Sequence, residues 1–381
     1  MENGKFKILN VVSDEKFIDG AIECMDLYSE RWCNEWIICS TSVVELNFVK
    51  KNSDRIKFLA KGEIMEYLST NNFDALILHS FGVLPPQIVA KIPQYIKVFW
   101  FGWGYDIYNF PFHHPFLKWN LYKPHTKDYL NPSLYHKARQ LASKVKYYLL
   151  GNDYYYQKAL QRIDYFSGVE DFEYDLMLQN PKFRAAKVMF SYTNLGDLES
   201  YDKYEFETCN GDNILVGNSA APTNNHLDLL GCLKKFDLKG RKLIIPLSYG
   251  GSNEYVQTVV NLYRDAFGDN VVALTDFMPR NEYKKYILSC GASFFFMERQ
   301  QAIGNIHLLL INGSKVFLSE NNPIFDYYKK IGIKIFSAER DPLTSELSAA
   351  DIENNRRILI KIRGRKALFE KLDTIYNSLQ G

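Results

Sequence analysis

Glu298-Arg299-Gln300-Gln301-Ala302-Ile303-Gly304-Asn305 brings a carboxylate, a guanidinium and three amides into one turn. The residues before it, 292–296, are small or aromatic and read as a buried strand. Those after it, 306–311, read as an amphipathic helix closed by Asn312-Gly313. A polar turn between a buried strand and a helix is where open α/β sheets bind ligands. The helix start supplies unpaired N–H groups and the positive end of a dipole. Gly304 lets an anion approach the backbone because no Cβ intervenes. Arg299 adds a bidentate phosphate contact, and Glu298, Gln300 and Gln301 offer partners for hydroxyls. This is chemistry suited to a sugar diphosphate, although an ordinary strand–helix loop can share the composition.

Three further loops repeat the pattern in the second half of the chain. They are Gly217-Asn218-Ser219, then Ser248-Tyr249-Gly250-Gly251-Ser252-Asn253, then Ser319-Glu320-Asn321-Asn322. Each is small or amide-rich and follows an expected strand. Four such loops around one sheet describe a donor pocket, with Phe277-Met278 placed to cover a nucleobase. Gly217, Asn218, Ser219, Tyr249, Asn253, Phe277, Glu298, Arg299, Gln300, Gln301, Gly304 and Asn322 are therefore the candidate donor-binding residues.

A glycosyl transfer also needs a base for the acceptor hydroxyl proton. Asp106 follows a strand within Gly102-Trp103-Gly104-Tyr105, where Trp103 and Tyr105 can stack on a sugar. His79 and Asp14 lie at the ends of neighbouring strands. The structural alternatives are a helix cap or turn residue for Asp106 and a hydrogen-bonded core histidine for His79.

Stepping from these residues to the elements that hold them, the first half alternates strand and helix. Strands are expected at 6–12, 35–40, 56–59, 73–79 and 96–101, with further strands at 146–150 and 187–190. Such alternation predicts a parallel doubly wound sheet. A fresh series begins near 213, with strands at 213–217, 242–246, 271–274, 292–296 and 315–318. The expected organisation is an acceptor-side domain over 1–205, a nucleotide-sugar domain over 206–345, and a helical segment over 346–381 packing back on the first domain. Two α/β halves of this kind make the GT-B architecture, two Rossmann-like domains facing across a cleft.

Residues 113–158 interrupt the first series. They carry eight Lys and Arg against two acids, a net charge of +6, and four of the seven histidines. Trp119, Tyr122, Tyr129 and Tyr135 are interleaved. Basic and aromatic residues together suit an anionic membrane surface or a polyprenyl-diphosphate head group; a solvated basic insertion is the plainer reading. His113, His114, His125 and His136 lack metal-type spacing.

The totals remove several classes. At 381 residues two domains are expected. A net charge of +2 argues against a general nucleic-acid binder. Six cysteines without a Cys-x-x-Cys pair fit buried thiols. The start goes straight into a strand without a signal peptide, and no apolar run approaches the roughly 18 residues of a membrane span. Walker A, Gly-x-Gly-x-x-Gly and Gly-x-Ser-x-Gly are all absent. No two aspartates stand two apart, so the Asp-x-Asp metal motif of the other main glycosyltransferase fold is missing. No metal or other cofactor is expected.

Leu215-Val216-Gly217-Asn218-Ser219 with Asn225-His226, Ile245-Pro246 with Tyr249 and Asn253-Glu254-Tyr255, Arg299-Gln300-Gln301-x-Ile303-Gly304, and Asn322-Pro323 resemble the family 56 glycosyltransferases. Trp100-x-x-Trp103-Gly104-x-Asp106-x-Tyr108 is similar in the first half and adds Tyr108 to the acceptor candidates Trp103 and Tyr105. The resemblance spans most of 70–330. It implies a GT-B fold, a dTDP-linked 4-acetamido-4,6-dideoxy-galactose donor and a polyprenyl-diphosphate-linked glycan acceptor in bacterial surface-polysaccharide synthesis. It also implies a cytoplasmic protein, peripheral on the inner face of the inner membrane. Retaining GT-B enzymes commonly carry two glutamates eight apart, whereas Glu298 has Ile306 at that offset; single displacement with Asp106 as base is the expectation. Alternatives are another donor, such as a UDP-sugar, or a non-catalytic protein binding a glycan or lipid head group.

Overall fold

The computed structural model describes every residue except 1–3, 109–119, 132–137, 140, 143–144, 147–148 and 210. The chain divides into two compact units. One comprises Met1–Trp119, Ser133–Lys203 and Arg363–Gly381; the other comprises Asn120–Pro132 and Tyr204–Ile362.

The first unit is a seven-stranded parallel sheet in the order β3-β2-β1-β4-β5-β6-β7. Its strands are β1 (Phe6–Val12), β2 (Trp32–Cys39), β3 (Ile56–Leu59), β4 (Ala75–His79), β5 (Lys97–Phe101), β6 (Tyr165–Ser167) and β7 (Ala186–Lys187). β4 is buried at all five positions, as expected where helices cover both faces of a parallel sheet. The order reverses between β1 and β4, so the crevice outside their carboxyl ends is the topological switch point.

Helix Arg365–Gln380 completes this unit. Leu368, Leu372, Ile375 and Leu379 recur at helical spacing and join the core cluster of Ile8, Trp32, Ile77 and Phe99. Burying four such side chains contributes roughly 6–12 kcal/mol before conformational entropy is subtracted. Asp373 on the same helix accepts from Tyr28 Oη at 2.7 Å and Arg31 Nη1 at 2.9 Å. Helix Ala349–Arg363 falls almost wholly in the other unit, so the expected 346–381 segment divides, and 363–381 belongs with the first.

The second unit is a six-stranded parallel sheet, β10-β9-β8-β11-β12-β13. Its strands are β8 (Asn213–Val216), β9 (Leu243–Pro246), β10 (Val271–Leu274), β11 (Cys290–Phe295), β12 (Lys315–Leu318) and β13 (Phe336–Ser337). Its switch point lies between β8 and β11. Phe294, Phe317 and Phe336 stack face to face across β11, β12 and β13, with centroids 4.4 and 5.1 Å apart.

The basic insertion divides between the units. Residues 120–131 belong to the second, where helix Pro124–Tyr129 docks through backbone donors. His125 N and Thr126 N each donate to the Asp228 carboxylate at 2.9 Å, and Thr126 Oγ1 donates to it at 2.7 Å. An acid facing the start of a helix also meets the favourable end of its dipole. Residues 145, 146 and 149 are helical, which corrects the strand expected at 146–150; a short apolar run does not by itself distinguish the two. Helix Leu195–Lys203 closes the first domain's share of the chain before the expected boundary at 205. His113, His114, Lys118, Trp119, Tyr135, His136, Lys137 and Lys144 lie outside the described residues. Among the described residues no helix is long and apolar enough to cross a membrane.

Candidate active site

The four amide-rich loops of the second unit leave the carboxyl ends of its strands and are tied to one another. Gly217 turns the chain after β8 with φ +67°, and a Cβ there would lie 2.8 Å from Asn224 Oδ1. Glycine is therefore required by conformation and by space. The next loop presses on this one so closely that a Cβ at Gly251 would lie 2.3 Å from the Ala220 carbonyl oxygen. Thr223 Oγ1 donates to Gln301 Oε1 at 2.8 Å, Gln301 Nε2 donates to Asn218 Oδ1 at 3.0 Å, and Asn218 Nδ2 donates to Tyr249 Oη at 3.3 Å. This chain runs across the switch point and joins the loops after β8, β9 and β11. Such a network holds polar groups in one arrangement before any ligand arrives.

The loop after β12 is tied in as well. Ser319 Oγ donates to Glu298 Oε1 at 2.9 Å. Asn322 caps helix Pro323–Ile331 by accepting from Ile324 N at 3.1 Å, while its Nδ2 donates to the Arg299 carbonyl at 3.0 Å. Asn322 is thus a buried tie between loops rather than a presented ligand. Ser219 is similar, with Oγ accepting from Asn224 Nδ2 at 3.2 Å.

Glu298 is buried, and Lys123 Nζ lies 2.8 Å from it and 3.1 Å from Glu339. The ammonium also lies 4.2 Å from the centroid of the Phe296 ring. Burial alone would lower the Lys123 pKa, but the bond to Glu298 and the charges of Glu298 and Glu339 hold it above its ordinary value. Glu298 therefore stands in an ion pair, which sequence reading missed because Lys123 precedes it by so many residues. Arg299 is partly exposed and directs Nη1 at the Gln300 carbonyl, 2.9 Å away; Gln300 is buried. Helix Ile303–Ile311 starts at Ala302, and Gly304 in its first turn is exposed with nothing within 4 Å of its Cβ position. Tyr249 and Asn253 are exposed, the latter opening helix Asn253–Phe267. Phe277 follows β10 at 69% exposure, in keeping with a platform for a flat ring. Among the described residues no three His, Cys, Asp or Glu side chains gather as metal ligands do.

His226 is a further residue of this edge. It is fully buried, shares Nδ1 with Tyr255 Oη at 3.2 Å, and turns an Nε2 without a hydrogen-bond partner toward Gly217, 3.1 Å from the Cβ position there. Burial lowers its pKa to about 3, so the ring is neutral.

The first unit treats its polar candidates differently. Asp106 is wholly buried. Its carboxylate accepts from Phe81 N at 2.8 Å, Trp100 Nε1 at 2.9 Å and Trp103 N at 2.5 Å. Burial pushes its pKa up to about 6 against the pull of those donors. It organises the turn after β5, the alternative noted for it above, with its carboxylate closed in by those three donors. His79 is also wholly buried, with Nδ1 2.8 Å from Tyr192 Oη and Nε2 3.1 Å from Asn10 Oδ1. Burial holds its pKa near 3, and it is a neutral core histidine. Asp14 accepts from the backbone N–H groups of Asn47, Phe48 and Val49 at 2.5, 3.0 and 2.9 Å; it pins a loop. Trp103 and Tyr108 are buried, whereas Tyr105 is 40% exposed and bonds Ser80 Oγ at 2.7 Å.

The residue missed here is Glu15, one position beyond Asp14 at the end of β1. It is half-buried, and its carboxylate has no hydrogen-bond partner among the described residues. Burial raises its pKa, Lys16 opposes that, and Asp14 adds to it.

A family model described as 4-alpha-L-fucosyltransferase glycosyl transferase group 56 matches residues 130–374. Among solved structures, a glycosyltransferase from Rickettsia africae matches with a TM-score of 0.60 at 15% identity, covering 99% of each chain. Sucrose-phosphate synthase from Thermosynechococcus elongatus matches with a TM-score of 0.63 at 10% identity, covering 98% of this chain and 99% of the other. An E. coli trehalose-6-phosphate structure bound with UDP-2-fluoro glucose matches with a TM-score of 0.57 at 10% identity, covering 98% of each. At these identities the structural likeness establishes the fold, which is GT-B.

Proposed function

The chain belongs to glycosyl transferase group 56, and on that premise we propose that it moves an amino-deoxy sugar of the 4-acetamido-4,6-dideoxy-galactose type. The donor is a dTDP-sugar and the acceptor a polyprenyl-diphosphate-linked glycan. The observation that carries the donor side is the tied set of four loops at the second unit's switch point, with Arg299 in the same loop that leads to the open helix start at Gly304. Arg299 and the helix N–H groups would take up charge as the diphosphate leaves, an electrostatic task that requires no metal. Phe277 would stack on the thymine.

The acceptor hydroxyl attacks C1 of the donor sugar in a single displacement. The new C–O bond forms as the C1–O(phosphate) bond breaks, its electron pair leaves with dTDP, and the hydroxyl proton passes to a base of the first unit. A lipid-linked acceptor places the enzyme at an anionic membrane surface on the cytoplasmic side. Ala138, Leu141, Val145, Leu149 and Leu150 support this: they line one open face, with Leu149 81% exposed and Arg139 and Lys146 beside them. Apolar side chains rimmed by cations are the pattern of interfacial helices.

Thermal shift against dTDP, UDP, GDP and CMP tests the donor reading. The largest stabilisation is expected from dTDP. A larger shift with UDP would replace the donor class, and no shift with any nucleotide would overturn the transferase assignment of these loops. The binding-protein alternative predicts saturable glycan binding without consumption of a nucleotide sugar.

A further inference from the structure

The geometry points to Glu15 as the general base of the transfer, with the Tyr105–Ser80 hydroxyl pair orienting the acceptor. This rests on the proposed transferase function and names the residue that reading leaves open. Three observations converge. Glu15 follows β1, and Ser80 follows β4, so they flank the switch point of the first unit, where a ligand is expected. The other acids and the histidine at this edge are engaged: Asp106 by three N–H donors, Asp14 by three backbone amides, His79 within a closed polar core. Among the described residues, Glu15 is the one of these whose carboxylate accepts no hydrogen bond, and burial and charge are what act on it.

The surroundings suit a sugar. Phe17 is 46% exposed and meets Trp103 edge to face, with centroids 6.2 Å apart. Trp103 in turn meets Tyr105 at 6.0 Å. The exposed rings of Phe17 and Tyr105, backed by buried Trp103, offer apolar surface for a sugar face, and the half-buried carboxylate an acceptor for one hydroxyl proton. Tyr105 is close enough for the Glu15 charge to help raise its phenol pKa, behind burial as the main cause. Ser80 holds φ +96° and ψ 142°, a conformation an L-residue rarely adopts. Such strain persists where the surroundings over-determine it, here through Ser80 N donating to Phe101 O at 2.9 Å and the bond to Tyr105.

In the reaction the acceptor O–H bond breaks and its proton goes to Glu15. The oxygen's electron pair forms the bond to C1, and dTDP departs with the pair from the broken bond. Burial first, then the charges of Lys16 and Asp14 on the same loop, set when Glu15 is ionised, and Tyr105 from helix Gly104–Tyr108 feels its charge in turn.

The test compares wild type, Glu15→Gln and Glu15→Asp in transfer from whichever of dTDP-, UDP- or GDP-sugar the wild type consumes. The thermal shift by the matching nucleotide is measured alongside. Glu15→Gln should lower kcat about 10²–10⁴-fold. The nucleotide shift and donor KM should be unchanged, and the acid limb of the pH–rate profile should disappear. Glu15→Asp should recover part of the rate. Tyr105→Phe should raise the acceptor KM more than it lowers kcat. Turnover of Glu15→Gln within about threefold of wild type, below the weakest effect expected of a general base, would overturn the base while leaving the transferase reading intact. A wild type that no nucleotide stabilises and that consumes no donor would overturn both.

Discussion

The two sheet edges of this protein use polar residues in opposite ways. At the second unit's edge, side-chain amides bond one another across loops, as in the chain from Thr223 through Gln301 and Asn218 to Tyr249. At the first unit's edge, the polar side chains turn inward and satisfy backbone donors, as Asp106 and Asp14 do. One edge is a rigid, preformed surface. The other spends most of its polar groups on its own turns and leaves a half-buried carboxylate beside the exposed rings of Phe17 and Tyr105. A polar residue at a strand end is therefore a different signal in the two halves, and only the count of its local donors separates structural use from chemical use.

The largest expected effect lies at Asp106. Asp106→Ala leaves two backbone N–H groups and the Trp100 indole without an acceptor, and should destabilise the protein by about 3–5 kcal/mol. Thermal denaturation checks this, and a small loss would mean that the inward-turned edge is not structural. Arg299→Ala should weaken nucleotide binding by roughly 10- to 100-fold while leaving the melting temperature nearly unchanged. Calorimetric titration reads it; unaltered affinity would break the assignment of the tied edge to the diphosphate.

Gly217→Ala tests rigidity. It places a Cβ 2.8 Å from Asn224 Oδ1 at positive φ and should cost about 1–3 kcal/mol, with donor affinity falling alongside.

Glu173 sharpens the contrast through pH. It is wholly buried, with Oε2 accepting from Val169 N at 2.7 Å and Glu170 N at 2.9 Å, and burial pushes its pKa up to about 8. Between the ordinary carboxylate value and about 8 the folded protein holds this proton more tightly than the unfolded chain. Stability therefore falls as pH rises through that window. Glu173→Gln should remove this component, so its melting temperature should gain on wild type between pH 5 and pH 8. The smallest effect is expected at Phe277→Ala, a severalfold loss of nucleotide affinity without a stability change, since the ring is exposed.

Much of the second unit was legible in the sequence. The strands Val271–Leu274 and Lys315–Leu318 fall at their expected bounds, because apolar runs ended by glycine, proline and amides mark buried parallel strands. The loop residues Asn218, Tyr249 and Gln301 were nominated by type, and the structure joins them in one network. The partner of Glu298 was not legible, since Lys123 sits in a distant segment whose interleaved basic and aromatic residues suggested a membrane surface or a lipid-diphosphate head group. In the first unit Asp106 offered a typical base by type and position, but its carboxylate is closed in by two donors from its own strand and turn and by Phe81 N from the loop after β4. Glu15 was passed over for Asp14, its neighbour. Periodicity locates the end of β1, but it does not say which of two adjacent acids will pin the loop and which will face outward.

The division of the units has a consequence for biosynthesis. Residues 120–131, which dock on helix His226–Leu233, emerge from the ribosome before the sheet they cover has been made. Helix Arg365–Gln380, whose leucines sit in the first unit's core, emerges long after that sheet is complete. At about 5–20 residues per second the first sheet waits on the order of ten seconds for its missing helix. During that interval Trp32, Ile77 and Phe99 lack part of their cover. The nascent first unit is thus a natural client for a chaperone, and loss of the last helix would prolong that exposed state indefinitely.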